Sequence, residues 1–243
     1  MINENIHRIQ QKIKEKCAEA GRNSDDVTLI AVSKTFPSAD IRKAYEYGLV
    51  NFGENKAQEL RNKFDELADL NDRLRWHFIG TLQKNKVKYL IDSTEYIHSV
   101  DSQELADEIN KRMEKAGHEV MNSHKKKKIL IEVKTSGEET KAGIENKKEV
   151  IDLLNHCKNL SSVEVVGLMT IAPFTEDKNL IRNSFASLRK LRDRLNTMGF
   201  NLKELSMGMT SDFEIAIEEG ATFLRIGTAI FGQRTYTNKP EAH

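Results

Sequence analysis

A lysine directly follows an apolar segment near the start of the chain. Residues 29–33 read LIAVS and run straight into Lys34. An amine held at the end of a buried strand is poorly hydrated, which lowers its pKa and leaves it nucleophilic. Such an amine is suited to forming a Schiff base with a carbonyl compound. The alternative is a lysine that keeps its ammonium group in water beyond the strand end, and the strand pattern alone does not choose between the two.

Small polar residues near the other end of the chain could bind a phosphate group. Ser206 lies in LSMGMT (residues 205–210), and Gly227 and Thr228 lie in RIGTAIFG (residues 225–232). Glycine lets backbone amides approach an anion closely, and the two hydroxyls can donate hydrogen bonds to it. Residues of these types at strand ends also form ordinary turns. As a set opposite a buried lysine, they favour a phosphate-bearing aldehyde as the ligand.

Arg225 stands within an apolar segment, FLRIGTAIF at residues 223–231. An unpaired guanidinium is very costly to bury, so either a ligand atom or a carboxylate must meet it. Residues 225 and 227 face the same side of a strand because side chains alternate along it. One interpretation is a structural ion pair. The other is a donor to a ring nitrogen of a ligand bound beside the phosphate site.

Apolar segments recur at fairly even intervals and are typical of strands buried on both faces. There are eight of them, at residues 27–34, 49–55, 75–81, 96–100, 128–135, 163–171, 204–210 and 223–232. Helical patterns separate them, at residues 38–47, 57–70, 102–116, 147–160, 178–198 and 211–219, with a short helix over 85–90. A further helix, at residues 2–20, precedes the first strand.

This order predicts an α/β fold, a single (β/α)8 TIM barrel with an extra N-terminal helix, formed by residues 1–243 as one domain. Functional groups of such barrels gather at the C-terminal ends of the strands, where Lys34 and Asn55 lie. An open doubly wound sheet is the alternative, but it needs a glycine-rich turn after the first strand, and residues 35–40 (TFPSAD) contain no glycine. We expect the tail after residue 232 to be flexible.

The composition argues against several classes of protein. Lys and Arg number 38 against 37 Asp and Glu, so no strong charge points to nucleic acid or a membrane surface. No apolar run approaches the length of about 20 residues that a membrane-spanning helix needs. With no export signal at the N-terminus, we expect a cytoplasmic protein. Cys17 and Cys157 are expected to be free thiols, and the seven histidines show no metal-ligand spacing.

Several longer motifs follow one another along the chain. In chain order these are LIAVSKTFP (29–37), NFGENKAQE (51–59), WHFIGTLQKNK (76–86), HSVDS (98–102), VKTSGEETKAGI (133–144), GLMTIAP (167–173) and LSMGMTSDFEIAIEEGATFLRIGTAIFG (205–232). They cover essentially the whole chain, and the last is long enough to be specific. With these motifs the chain resembles the pyridoxal 5′-phosphate homeostasis proteins. Lys56 stands where the family often has an aromatic residue, and Thr210 stands where it often has a serine.

The resemblance implies a barrel similar to the N-terminal domain of alanine racemases, with pyridoxal 5′-phosphate as cofactor. Lys34 would hold the cofactor as a Schiff base, Arg225 would face its pyridine nitrogen, and Asn55 would contact the pocket. The residues that the resemblance assigns to the phosphate are Ser206, Gly227 and Thr228.

The resemblance also implies a role in cofactor storage or delivery. A permanently charged arginine disfavours protonation of the ring nitrogen and weakens the ring as an electron sink. Fold-related racemases carry a similar arginine, so this argument does not exclude an enzyme. Racemases, however, take a second base from a second domain, and the sequence shows no such domain. We therefore expect no catalytic turnover and favour a monomer, although the sequence does not fix the oligomeric state.

Protein partners would be the enzymes that use or supply the cofactor. Three other functions stay open. The first is a pyridoxal-dependent racemase or related enzyme acting on an unidentified amino acid. The second is a Schiff-base aldolase in which Lys34 attacks a sugar phosphate directly, and the third is a non-catalytic interaction module.

Overall fold

The computed structural model describes residues 1–117, 126–136 and 142–233. Within them, parallel β-strands close into a barrel in which each strand pairs with its sequence neighbours and the last pairs with the first. The strands are β1 (Thr28–Val32), β2 (Asn51–Glu54), β3 (Arg75–Phe78), β4 (Tyr96–Val100), β5 (Lys127–Glu132), β6 (Val163–Met169), β7 (Glu204–Ser206) and β8 (Phe223–Ile226). The predicted (β/α)8 barrel is confirmed.

Helices surround this barrel and form its outer layer. They are α1 (Ile2–Glu19), α2 (Ser38–Glu46), α3 (Ala57–Glu66), α4 (Gln103–Ala116), α5 (Lys147–Cys157), α6 (Lys178–Thr197), α7 (Phe213–Glu218) and α8 (Thr228–Phe231). The predicted extra N-terminal helix is α1, which packs against α2, α7 and α8. Its buried face carries Ile6, Ile9, Ile13 and Cys17 at helical spacing.

Two apolar clusters divide the core. The larger one lies between the strands and the helices. The smaller one lies inside the barrel and consists of Ile30, Leu130, Met169 and Phe223, each at most 4% exposed. Because side chains alternate along a strand, residues in step with these four face the barrel interior. This alternation decides which polar side chains meet at the mouth of the barrel, which is the end formed by the C-terminal ends of the strands.

Several predicted boundaries differ from the structure. The predicted strand at residues 223–232 ends at Ile226, because Gly227 turns the chain into α8. The predicted helix at residues 57–70 is two pieces, α3 and a short 3-10 helix at Ala68–Leu70. The short helix expected over residues 85–90 is a 3-10 helix at Lys84–Tyr89. The tail predicted to be flexible lies almost wholly outside the described residues.

Candidate functional site

Lys34 lies just beyond the end of β1, at the mouth of the barrel. The strand ends at Val32, two residues earlier than predicted, and Thr35 has a φ of 71°. That left-handed backbone cannot continue a strand, so Lys34 sits in a turn. Lys34 is half-buried there. The structure therefore places Lys34 at the C-terminal end of β1, on a turn rather than on the strand itself.

Lys63 of α3 forms a buried ionic cluster behind this turn. Its Nζ lies 2.8 Å from Glu54 Oε1, 2.8 Å from Glu59 Oε1 and 2.8 Å from the carbonyl oxygen of Ser33. The side chains of Lys63 and Glu54 are only 7% and 0% exposed. Burial raises the pKa of Glu54 to about 7, although Lys63 and Ser33 act in the opposite direction.

This cluster fixes the residues on both sides of Lys34. Ser33 Oγ donates to Glu54 Oε1 at 2.6 Å, and the backbone N–H of Thr35 donates to Glu59 Oε1 at 2.6 Å. A residue with positive φ is strained unless its surroundings hold it, and Glu59 supplies that contact for Thr35. The backbone that carries Lys34 is thus anchored on either side.

Asn55 follows β2 and is half-buried at the same end of the barrel. Its backbone approaches Gly80 so closely that a Cβ on Gly80 would lie 2.2 Å from the carbonyl oxygen of Asn55. Only glycine allows this contact, because the neighbouring atoms belong to backbone and cannot move aside. The carbonyl oxygen of Gly80 in turn accepts a hydrogen bond from Ser99 Oγ at 2.5 Å. Asn55 therefore has a defined position at the mouth.

Gly227 and Thr228 lie next to the strand that leads to Lys34. A Cβ on Gly227 would lie 3.1 Å from the carbonyl oxygen of Val32, which shows how closely β8 ends against β1. Thr228 is exposed and begins α8, and its Oγ1 lies 3.2 Å from Thr210 Oγ1. The structure thus brings together Gly227, Thr228 and Thr210, the last of which sequence reasoning treated only as a departure from the family.

Ser206 does not lie with this group. It is fully buried and is the last residue of β7, with its side chain in the barrel interior. Its Oγ lies 2.8 Å from His98 Nδ1 and accepts a hydrogen bond from Arg225 Nη1 at 2.5 Å. The chain reaches the mouth only after Ser206, through the turn that carries Thr210. The structure therefore joins Ser206 to Arg225 rather than to Gly227 and Thr228.

Arg225 is 5% exposed inside the barrel. Besides the bond to Ser206, its Nη2 donates to the carbonyl oxygen of Thr170 at 2.8 Å. Burial lowers the pKa of Arg225 to about 10, while the carboxylates of Asp212 and Glu132 act in the opposite direction. These two hydrogen bonds go to neutral oxygens and use two of the five guanidinium N–H donors.

Comparison with known proteins identifies the family. Residues 3–235 match the family model described as alanine racemase, N-terminal domain. A pyridoxal phosphate homeostasis protein from Aquifex aeolicus is 45% identical over 234 residues, which cover 96% of this chain and 98% of that protein. The chain belongs to the pyridoxal phosphate homeostasis protein family. The resemblance drawn from the sequence motifs is therefore confirmed.

Further members of the pyridoxal phosphate homeostasis family agree with this result. The human protein of that name is 36% identical over 249 residues, 97% of this chain and 87% of that protein. PipY of Synechococcus elongatus PCC7942, solved with pyridoxal phosphate bound, is 36% identical, with a TM-score of 0.78 over 90% of this chain and all of that one. The similarity thus extends over nearly the full barrel.

Sequence reasoning missed Glu132, at the end of β5. Glu132 is 5% exposed and lines a cavity of about 130 Å³ with Lys134 and Thr170, among others. Burial raises its pKa to about 7, Asp101 adds to this effect, and Arg225 opposes it. A glutamate that ends an apolar strand, KKILIE, is the pattern that could have found it.

Sequence reasoning also missed two buried histidines, His77 on β3 and His98 on β4. Their rings touch, with His77 Nδ1 3.0 Å from His98 Nε2. Each histidine lies inside an apolar strand, RWHF and YIHSV, and strand parity could have shown that both face the interior. Among the described residues, no group of three or more His, Cys, Asp or Glu could hold a metal ion. None of the described helices is long and apolar enough to cross a membrane.

Proposed function

We propose that this protein binds pyridoxal 5′-phosphate at the barrel mouth through Lys34 and serves cofactor homeostasis in the cytoplasm by storing or delivering it. The observation that carries the proposal is the meeting of β1 and β8. Lys34 follows the end of β1, Gly227 follows the end of β8 and lies against Val32, and Arg225 of β8 is paired in register with Ile30 of β1. The bound cofactor supplies an aldehyde that condenses reversibly with primary amines and a ring that accepts electrons.

The residues present at the mouth fit this cofactor. A Cβ on Gly227 would lie 3.1 Å from the carbonyl oxygen of Val32, so glycine lets the start of α8 lie close against the end of β1. Two hydroxyls, those of Thr210 and Thr228, stand 3.2 Å apart beside it. We assign the phosphate to these three residues and place Ser206 behind Arg225. Relatives named pyridoxal phosphate homeostasis protein, and the PipY structure with pyridoxal phosphate bound, support the choice of cofactor.

Lys34 and Arg225 have different tasks in this site. The anchored turn presents the Lys34 amine with little backbone freedom, which lowers the entropic cost of covalent attachment. The guanidinium of Arg225 only donates hydrogen bonds, so a ring nitrogen that faces it must act as the acceptor and stays unprotonated. An unprotonated ring is a weak electron sink, which suits reversible holding of the cofactor better than chemistry at an amino acid. We propose enzymes that use the cofactor as its recipients.

The test is the visible absorption spectrum of the purified protein, recorded before and after borohydride, with peptide mapping. We expect a yellow band that borohydride removes while fixing the cofactor on the peptide that contains Lys34. Lys34→Ala should lose both the band and the fixed cofactor. Lys56→Ala, which removes an exposed lysine from the same end of the barrel, should keep both.

Other outcomes would support the alternative functions. Amino acid racemisation at an enzyme-like rate by the loaded protein would overturn the storage role and favour a racemase. Borohydride trapping of a sugar phosphate on Lys34 without pyridoxal phosphate would favour an aldolase. A colourless protein that takes up no added cofactor would reject the proposal.

A further inference from the structure

Polar side chains inside the barrel form one continuous chain of hydrogen bonds. Asn51 Oδ1 lies 3.1 Å from His77 Nε2, and His77 Nδ1 lies 3.0 Å from His98 Nε2. His98 Nδ1 lies 2.8 Å from Ser206 Oγ, which accepts from Arg225 Nη1 at 2.5 Å. The chain thus links five strands, from β2 through β3, β4 and β7 to β8. We call these five residues the interior chain.

The interior chain runs from the end of the barrel opposite Lys34 to Arg225 inside the barrel. His77, His98 and Ser206 are 0% exposed, and Arg225 is 5% exposed. Asn51 begins β2 and lines a groove of about 500 Å³ at the end of the barrel opposite Lys34. Tyr96 stacks on His77 with ring centroids 4.7 Å apart and closes the interior below the histidines. A buried network of this kind is stable only when each member is satisfied.

The donors in the interior chain all point the same way. Arginine only donates hydrogen bonds, so Ser206 Oγ accepts from Arg225 Nη1. At the other end of the chain Asn51 Oδ1 only accepts, so His77 carries its hydrogen on Nε2. A neutral His77 then accepts at Nδ1 from His98 Nε2–H, and a neutral His98 accepts at Nδ1 from the hydroxyl of Ser206. In this arrangement each ring nitrogen makes one hydrogen bond and both imidazoles are neutral.

The surroundings of the two rings keep them neutral. Burial lowers the pKa of His77 to about 3 and lowers that of His98 well below its ordinary value. The titratable groups that also lower these pKa values are Arg75 and Lys128 for His77, and His77 and Arg225 for His98. A second proton on His77 Nδ1 would also face the Nε2–H of His98. The direction of the chain is therefore fixed by both charge and hydrogen bonding.

We propose that Ser206, His98 and His77 are positioning residues that hold the Arg225 guanidinium in one orientation toward the bound cofactor and set its strength as a donor. The proposal rests on the proposed function, because it assumes that Arg225 faces the ring of pyridoxal phosphate. A hydroxyl that donates to one neighbour becomes a better acceptor for another. Ser206 thus binds Arg225 more firmly than an isolated hydroxyl would, and without adding the negative charge of a carboxylate.

The first arm of the test needs no cofactor. Nitrogen-15 NMR of the histidine rings should show two neutral imidazoles, each protonated on Nε2, from pH 5 to 8. Spectra of His77→Gln and His98→Gln assign the two ring systems. His156, which lies at the surface beside Asp107, provides an internal comparison. Titration of either buried ring in this range, or a hydrogen on Nδ1, would overturn the proposed direction of the chain.

The second arm compares buried serines in the loaded protein. Ser206→Ala removes the contact to Arg225, whereas Ser93→Ala removes a buried hydroxyl that donates to the Tyr89 carbonyl oxygen at 2.7 Å. We expect Ser206→Ala to shift the absorption maximum of the bound cofactor and to weaken its binding about tenfold. Ser93→Ala should change neither. Ser206→Thr, which keeps the hydroxyl, should restore the absorption maximum.

The two arms separate this proposal from the proposed function. One outcome is that folded Ser206→Ala still binds the cofactor on Lys34, as shown by borohydride fixation, with the absorption spectrum and affinity of the wild type. In that case the positioning role is wrong and the binding function stands. If the wild type fixes no cofactor on Lys34, the binding function fails and the positioning role fails with it. The NMR result would then still report whether the interior chain exists. If Ser206→Ala does not fold, His98→Gln provides the same comparison.

Discussion

Lys63 Nζ lies 2.8 Å from Glu54 Oε1 in an ion pair that is almost completely buried. The same carboxylate oxygen accepts the hydroxyl of Ser33, the residue before Lys34. Among the described residues, Glu54 Oε2 has no hydrogen-bond partner. A buried carboxylate with one oxygen unsatisfied is costly, so the arrangement depends on Lys63. The pair thus supports the turn that presents the candidate cofactor-binding lysine.

Replacing Lys63 with methionine should strongly destabilise the protein. The change leaves Glu54 buried without its cation, and breaking a buried pair in this way costs about 3–5 kcal/mol. Urea denaturation measures the change in the free energy of unfolding. Lys43→Met is the control, because Lys43 and Asp40 form an exposed pair worth less than about 1 kcal/mol. Equal decreases in the free energy of unfolding of the two variants would show that the buried pair stabilises the fold no more than the exposed pair does.

Glu132→Gln should change how stability depends on pH. Burial raises the pKa of Glu132 to about 7 from 4.5, so between these values the folded state binds more protons than the unfolded state. The free energy of unfolding therefore falls as pH rises through this window. The glutamine variant avoids this loss and should exceed the wild type at pH 8 by up to about 3 kcal/mol.

Unfolding free energies measured at pH 5, 6, 7 and 8 test this expectation. The difference in the free energy of unfolding between Glu132→Gln and the wild type should shrink steadily toward pH 5, where the wild-type carboxyl is protonated in the folded state. Glu164→Gln changes an exposed glutamate on β6, and its free energy of unfolding should change with pH as that of the wild type does. A constant difference between Glu132→Gln and the wild type would contradict the raised pKa.

Thr210→Val should weaken binding of pyridoxal phosphate without weakening binding of pyridoxal. The variant keeps the shape of the side chain but loses the hydroxyl beside Thr228. A hydrogen bond to a charged group contributes about 1.5–3 kcal/mol, so we expect affinity to fall about 10- to 100-fold. Fluorescence or absorbance titration with both ligands measures the effect. Thr210→Ser should bind both ligands as the wild type does, and an equal loss for both ligands in Thr210→Val would place the hydroxyl away from the phosphate.

The two cysteines should be unreactive in the folded protein. Cys17 and Cys157 are 0% and 4% exposed and are both free thiols, as predicted. Burial raises the pKa of both thiols, that of Cys157 to about 12, so almost no thiolate is present at neutral pH. A thiol-reactive dye should label neither residue in the native state and both in denaturant. Rapid labelling in native conditions would contradict this burial.

The sequence by itself determined the architecture and the family. Eight evenly spaced apolar segments predicted the barrel because parallel strands covered on both faces leave a local and repeated pattern. Lys34 became a candidate site residue in the same way, as a charged residue at the end of an apolar segment. Such features are readable because each depends on residues that are neighbours in the chain.

Only the tertiary structure decided which polar residues meet. Ser206 and Thr210 belong to one short motif, yet one lies inside the barrel with Arg225 and the other lies at the mouth with Thr228. His98 and Ser206 are 108 residues apart in the chain, and barrel closure brings their atoms within 2.8 Å. Such contacts depend on strand register and on the depth of each side chain in the barrel. Those quantities are set by the packing of the whole molecule, so no local pattern in the sequence records them.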